Sequence, residues 1–219
     1  IRRPPRSTLS SSSAASDVYK RNVYIYDPMC SWCWGYAPTW HKLQKSLAQH
    51  VDIIYRLGGL APDSNEPMPI EMQTLLQQTW RNIAEQLGTE FNFDFWQQCQ
   101  PRRSTYPACR AAIVARASGK EQAMLSAIQQ AYYLQAQNPS DITTLQALAV
   151  EIGLDGDDFL EQINSQHTDA LLKKDIAEMR QLPIQGFPSL VLIKDNIPIA
   201  IPVDYKNWRN SYELIISKI

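Results

Sequence analysis

The stretch Val23-Tyr24-Ile25-Tyr26-Asp27-Pro28-Met29-Cys30-Ser31-Trp32-Cys33-Trp34-Gly35 decides the fold. Its first four residues are β-branched and aromatic and read as a short buried strand, closed by Asp27-Pro28. A helix must start almost at once, because Trp40, Leu43 and Leu47 recur at helical spacing. The spacing predicts a helix from Cys30 to about Gln49, bent at Pro38. A Cys-x-x-Cys pair at such a junction puts the Cys30 sulfur at a helix N-terminus, where unpaired N–H groups and the helix dipole favour negative charge. Cys30 is therefore expected to carry the thiolate. Cys33, one turn on and on the more buried side, is expected to resolve a mixed disulfide. Ser31-Trp32 contains no cation, so the first-turn N–H groups must supply most of the stabilisation.

Outward from this stretch, Val51 to Leu57 reads as a second strand ended by Gly58-Gly59, giving β-α-β. The long middle of the chain, about Ala61 to Gln166, has no convincing strand run. Helical patterns cover Ile70 to Leu87, Ala108 to Ser118, Gln122 to Gln137, Thr143 to Ile152 and Asp157 to Ser165, with Ser140 and Asp141 placed to cap the fourth. An amphipathic helix from Asp169 to about Gln181 precedes two apolar runs, Ser189 to Ile193 and Ile197 to Ile201. These read as an antiparallel hairpin. A last helix is expected from Tyr205 to Ile216, with Asp204 as its N-cap. The expectation is an α/β, thioredoxin-like fold with a mixed central sheet and a large all-helical insertion. Its parts are a disordered or artefactual leader at 1–21, a thioredoxin-like domain at 22–61 and 167–219, and a helical insertion at 62–166. The leader holds a serine-rich run, Ser10 to Ser13, and no apolar stretch. It resembles translated adaptor sequence fused to a gene fragment, so native N-terminal residues are expected to be missing.

Composition agrees with a globular chain. Of 219 residues, 44% are hydrophobic and 20% charged, and the net charge is -1. No basic patch invites nucleic acid, and no apolar run reaches the roughly 18 to 20 residues that span a bilayer. Four cysteines are too few for a disulfide-stapled scaffold.

Gly186-Phe187-Pro188-Ser189, just before the third strand, is the second informative motif. A proline there is expected to be cis and to leave the Phe187 backbone beside the sulfurs, free to pair with a substrate chain as an added strand. Together with Asp27 to Gly35 and an all-helical stretch between, it resembles the DsbA family, specifically its FrnE-like and 2-hydroxychromene-2-carboxylate isomerase-like branch. The resemblance covers about residues 22 to 219 and extends to Gly58 to Pro62, Pro67-Met68-Pro69 and Ser104 to Ala108. It implies a dithiol-disulfide cycle at Cys30 and Cys33. Ser31-Trp32 departs from the Pro-His of the periplasmic oxidases, so a strongly oxidising potential does not carry over. Cysteine stands where the isomerases and kappa-class glutathione transferases use serine.

The expected activity is thus thiol-disulfide exchange, with a glutathione-dependent transferase or isomerase and a redox-regulated, chaperone-like binding protein as alternatives. Ser31, Trp32, Trp34, Phe187 and Pro188 are the expected substrate-binding residues. No cofactor or metal is expected beyond the redox-active disulfide, with glutathione the candidate cosubstrate. Expected partners are thiol- or disulfide-containing proteins or small thiols, with no nucleic acid and no membrane, for a monomer or homodimer. The cytoplasm is the expected compartment, the periplasm its alternative. Cys99 and Cys109 read as small buried hydrophobes rather than a second redox pair. Arg102, Arg103 and Arg110 have two open readings, an anion site near the cysteines or solvated surface. His41, His50 and His167 are scattered, and no role falls to them. Trp80, Ile83, Ala84 and Leu87 read as the core of the insertion.

Overall fold

The computed structural model describes residues 20–219. The expected leader therefore lies outside the described residues, apart from Lys20 and Arg21, and Arg21 already belongs to the first strand. Four strands, β1 (Arg21–Tyr26), β2 (Asp52–Leu57), β3 (Ser189–Lys194) and β4 (Ile197–Ile201), form one mixed sheet in the order β2-β1-β3-β4. β1 is parallel to β2 and antiparallel to β3, and β3 is antiparallel to β4. β1 lies inside the sheet, and Asn22 to Tyr26 are all buried. That is why Val23 to Tyr26 is an unbroken apolar run rather than an alternation. The β3–β4 turn is Asp195-Asn196, with φ of 52° and 63°, the left-handed pair that two-residue hairpins need. Pro198 is tolerated because β4 is an edge strand.

Helix α1 (Ser31–Leu47) links β1 to β2 and continues through Pro38. Between β2 and β3 come α2 (Ile70–Leu87), α3 (Phe95–Gln98), α4 (Tyr106–Ala117), α5 (Glu121–Tyr133), α6 (Ile142–Glu151), α7 (Gly156–Ile163) and α8 (Gln166–Met179). The single turn of α3 was not anticipated, being too short to show periodicity. The last helix, α9 (Trp208–Lys218), starts three residues later than expected. Asp204 does not cap it. Its carboxylate accepts from the Lys206 and Asn207 backbone N–H groups, and Asn207 caps α9 through Arg209 N. Asp141 stands at the N-cap position of α6 but makes no capping bond; its carboxylate faces Arg102 instead.

Two buried apolar clusters result. One surrounds the sheet and includes Tyr24, Tyr26, Tyr36, Trp40, Leu43 and Val191, with Cys109, Ala112 and Ile113 reaching in from α4. The other lies among the helices and includes Trp80, Phe95, Ile128, Tyr132, Tyr133 and Phe159. Cys30 and Cys33 belong to the first cluster and their neighbour Met29 to the second, so the motif straddles the seam.

Candidate functional site

The end of β1 delivers the motif. Asp27 is fully buried, its backbone carbonyl accepts from Cys30 N at 3.0 Å, and its Oδ1 accepts from Met29 N at 2.9 Å. These bonds fix the turn that leads into α1. Cys30 is the N-cap of α1, with extended backbone (φ −79°, ψ 114°), and its Sγ accepts from Cys33 N at 3.4 Å. A sulfur so placed receives the first-turn N–H that a capping oxygen would otherwise receive. Cys33 is 1% exposed and Cys30 6%. Burial pushes the Cys33 thiol well above its ordinary value, and the hydrogen bond and charge of Cys30 push it further.

Phe187 approaches from the other end of the chain. The Phe187–Pro188 bond is cis, and the Phe187 carbonyl oxygen lies 3.5 Å from Cys30 Sγ, which donates to it. The four described cysteines are thiols. Pro188 is buried and Phe187 half-buried. Ser31 is turned inward, its hydroxyl accepting from Trp80 Nε1 at 3.0 Å. Trp32 is half-buried and meets Tyr205 edge to face at 5.3 Å. Trp34 stacks on Tyr133 at 5.7 Å while its indole N–H donates to the Glu90 carbonyl. Cavities of about 560 Å³ and 800 Å³ flank this part of α1, the first lined by Trp32, the second by Trp34, and both by Leu87, Tyr205 and Lys206. A third, of about 410 Å³, follows the Phe187–Pro188 loop and shares Pro202 and Val203 with the first. The geometry thus brings Cys30, Cys33 and Phe187 together, with Trp32 and Trp34 on adjoining recesses. Ser31 faces inward.

Sequence reasoning missed the carboxylate beneath the pair. Asp27 Oδ2 accepts from Leu60 N at 2.8 Å, Thr105 Oγ1 at 2.7 Å and Cys109 Sγ at 3.5 Å. Burial raises the Asp27 carboxyl, and these hydrogen bonds oppose the rise. Cys109 is fully buried, and Cys99 donates to the Ala136 carbonyl, so the two are not a pair. Arg110 forms a bidentate pair with Asp63, and Arg102 binds Asp141 and the Ser140 carbonyl, so neither is a free anion site. Arg103 Nη1 lies 3.8 Å from Met72 Sδ. The sequence marks Trp80 as core of the insertion, and its bond to Ser31 has no local signal.

A thioredoxin-like sheet with helices α2 to α8 inserted between β2 and β3, a Cys-x-x-Cys pair at a helix N-terminus and a cis-proline loop against it together define the class of DsbA-like thiol-disulfide oxidoreductase folds. The chain belongs to the DSBA-like thioredoxin domain family, whose pattern it matches over residues 23–205. Among curated relatives it is similar to the ClpXP adapter protein SpxH of Halalkalibacterium halodurans, 25% identical over 80% of this chain and 59% of that protein. The chain spans somewhat over half the length of the curated relatives it matches. Among solved structures it resembles a candidate protein disulfide isomerase from Nitrosomonas europaea, with TM-score 0.77 and 24% identity over 91% of this chain and 96% of that one. It also resembles the cytosolic disulfide reductase DsbM of Pseudomonas aeruginosa, with TM-score 0.72 and 23% identity over 90% and 96%. A 2-hydroxychromene-2-carboxylate isomerase shares the fold at TM-score 0.61 and 12% identity, over 90% and 93% of the two chains. Among the described residues no helix is long and apolar enough to cross a membrane.

Proposed function

We propose that this protein is a thiol-disulfide oxidoreductase that cycles Cys30 and Cys33 between dithiol and disulfide, and that it reduces or isomerises protein disulfides in the cytoplasm. One observation carries the reading: Cys30 Sγ sits at the N-cap of α1, between Cys33 N at 3.4 Å and the Phe187 carbonyl at 3.5 Å. The Cys30 thiolate attacks a substrate disulfide, forming a mixed disulfide and releasing one substrate thiolate. Cys33 then bonds to Cys30 and the second substrate sulfur leaves as thiolate, so the pair is oxidised and the substrate reduced. Phe187 and Pro188 present backbone to the substrate chain, and Trp32 and Trp34 form the walls of the recesses beside it. The reductive direction draws support from the likeness to DsbM, which is described as a cytosolic disulfide reductase and has also been solved with GSH. Glutathione is accordingly the proposed reductant.

The test is insulin reduction with glutathione by wild type, Cys30→Ser and Cys33→Ala. Turnover should vanish in both variants, and Cys33→Ala should accumulate a mixed disulfide through Cys30. Turnover that survives Cys30→Ser overturns the reading, and glutathione conjugation that survives Cys33→Ala assigns a transferase instead. A second reading, a protein-binding adapter, is favoured by the likeness to SpxH. It predicts partner binding that persists in the Cys30→Ser, Cys33→Ala double variant.

A further inference from the structure

We propose that a crevice behind Cys33 holds one water molecule that takes the proton of the resolving thiol to solvent, and that Gln129 positions this water. The inference rests on the oxidoreductase reading and supplies a step that reading leaves open. Cys33 must lose its proton when it attacks the mixed disulfide, yet burial favours the thiol. Asp27 is the obvious acceptor, but it is occupied. A carboxylate has about four lone-pair sites, and those of Asp27 face Met29 N, Leu60 N, Thr105 Oγ1 and Cys109 Sγ.

The alternative exit is a cavity of about 20 Å³ on the α1–α5 side, lined by Cys33, Tyr55, Gln129, Ser126, His41 and Gln122 among others. No residue of the Phe187–Pro188 loop lines it. One water needs roughly 10 to 15 Å³ and two to four polar partners. The partners are present. Gln129 is polar and only 4% exposed, and the buried Tyr55 hydroxyl faces just the Trp40 indole, a donor, so its own proton has no acceptor. A buried hydroxyl left so costs free energy unless water satisfies it. At the outer end His41 and Gln122 are exposed, and Gln122 Oε1 accepts from Gln44 Nε2 at 3.0 Å. The crevice therefore reaches from Cys33 past Tyr55, Ser126 and Gln129 to the exposed His41 and Gln122.

The step balances. Cys33 Sγ–H passes its proton to the water, its sulfur bonds to Cys30 Sγ, and the Cys30–substrate S–S bond breaks. The electron pair leaves on the substrate sulfur, which is protonated from bulk solvent. Cys33 is oxidised and the substrate sulfur reduced.

The experiment separates formation of the mixed disulfide from its resolution in single-turnover, acid-quenched reactions with a peptide disulfide. Gln129→Leu removes a polar partner of the water, and Tyr55→Phe removes the hydroxyl that lines the same cavity. In both, resolution should slow about tenfold, short of the hundredfold or more that a direct general base contributes, while formation by Cys30 is unchanged. Gln129→Asn, which keeps a neutral amide at that position, should slow resolution less than Gln129→Leu. Unchanged resolution in Gln129→Leu and Tyr55→Phe, or equal slowing of formation, overturns the water route. If wild type forms no mixed disulfide through Cys30, the oxidoreductase reading fails first and the proposal falls with it. Thermal melting checks folding, and Tyr55→Phe carries the test if Gln129→Leu does not fold.

Discussion

The Phe187 ring lies directly over the backbone of Gly58: a Cβ built on Gly58 would stand 2.2 Å from Phe187 Cζ. Gly58 also donates its N–H to the Tyr26 carbonyl at 2.7 Å, so the end of β2 is held in place and the ring must move instead. The same Phe187 carries the carbonyl that meets Cys30 Sγ. The positive-φ glycine next to it, Gly59 at 62°, is a separate requirement; Gly58 has no such backbone constraint. Gly58→Ala should therefore leave the fold intact and displace Phe187. Insulin reduction is expected to fall tenfold to a hundredfold, the cost of a shift of about 1 Å at a reacting centre. Adding Phe187→Ala makes room for the new methyl, so the double variant should be no slower than Phe187→Ala alone. A further loss in the double variant would show that Gly58 acts by another route.

Thr105 links two chains of hydrogen bonds. It donates to Asp27 Oδ2 at 2.7 Å and accepts from Ala61 N at 3.1 Å. Thr105→Val leaves a buried N–H and one carboxylate lone pair unserved, a loss of about 1 to 3 kcal/mol by urea unfolding. The pH dependence has a definite sign. Burial raises the Asp27 carboxyl in the folded state, so the unfolded chain releases that proton first. Above the unfolded value of about 3.9, this group makes stability fall as pH rises, until the raised folded value is passed. The Thr105 hydrogen bond favours the carboxylate, so its removal lifts the folded value and widens that window. Unfolding measured from acid to neutral pH should show a larger fall in Thr105→Val than in wild type. An equal fall would mean that Thr105 does not stabilise the ionised carboxyl.

Much of this was legible in sequence where the determinants are local. Val23 to Tyr26, the hairpin around Asp195-Asn196 and the 3.6-residue spacing in α2 are statements about neighbouring residues, and they give the sheet and most helices. Nearness of Phe187 to Cys30 came from recognising two motifs of one fold rather than from spacing. The hydrogen bonds around Asp27 were not legible. Leu60, Thr105 and Cys109 come from separate segments, and nothing near any of them says that they converge on one carboxylate. The same holds for the Trp80 indole on Ser31, where helical periodicity reported burial and was silent about the partner. Arg102 and Arg110 could be read either way from charge alone, and tertiary pairing with Asp141 and Asp63 decided it. At α9, two neighbouring capping residues competed, and Asp204 used its carboxylate on its own turn.

Arg116 on α4 joins helices of the middle segment to the sheet. It is bidentate to Glu121 of α5 and reaches Asp175 Oδ2 of α8 at 2.8 Å. Glu121 in turn accepts from the Tyr26 hydroxyl of β1, and Asp175 accepts from Leu57 N of β2. The Asp175 side chain is 7% exposed, so removing its cation strands a buried charge. Arg56 stays 3.7 Å from Asp175 and recovers part of the loss. Arg116→Met is therefore expected to cost about 3 kcal/mol, the lower end of what breaking a buried pair costs. Desolvation rather than lost attraction is the main source, which gives a sharper check. Neutralising the abandoned partners, as Arg116→Met with Glu121→Gln and Asp175→Asn, should recover at least half of the loss, because amides keep acceptors for Tyr26 and Leu57 without a buried charge. Urea unfolding of the single and triple variants decides it: a triple variant less stable than the single would show that charge attraction, not the cost of burial, governs this junction.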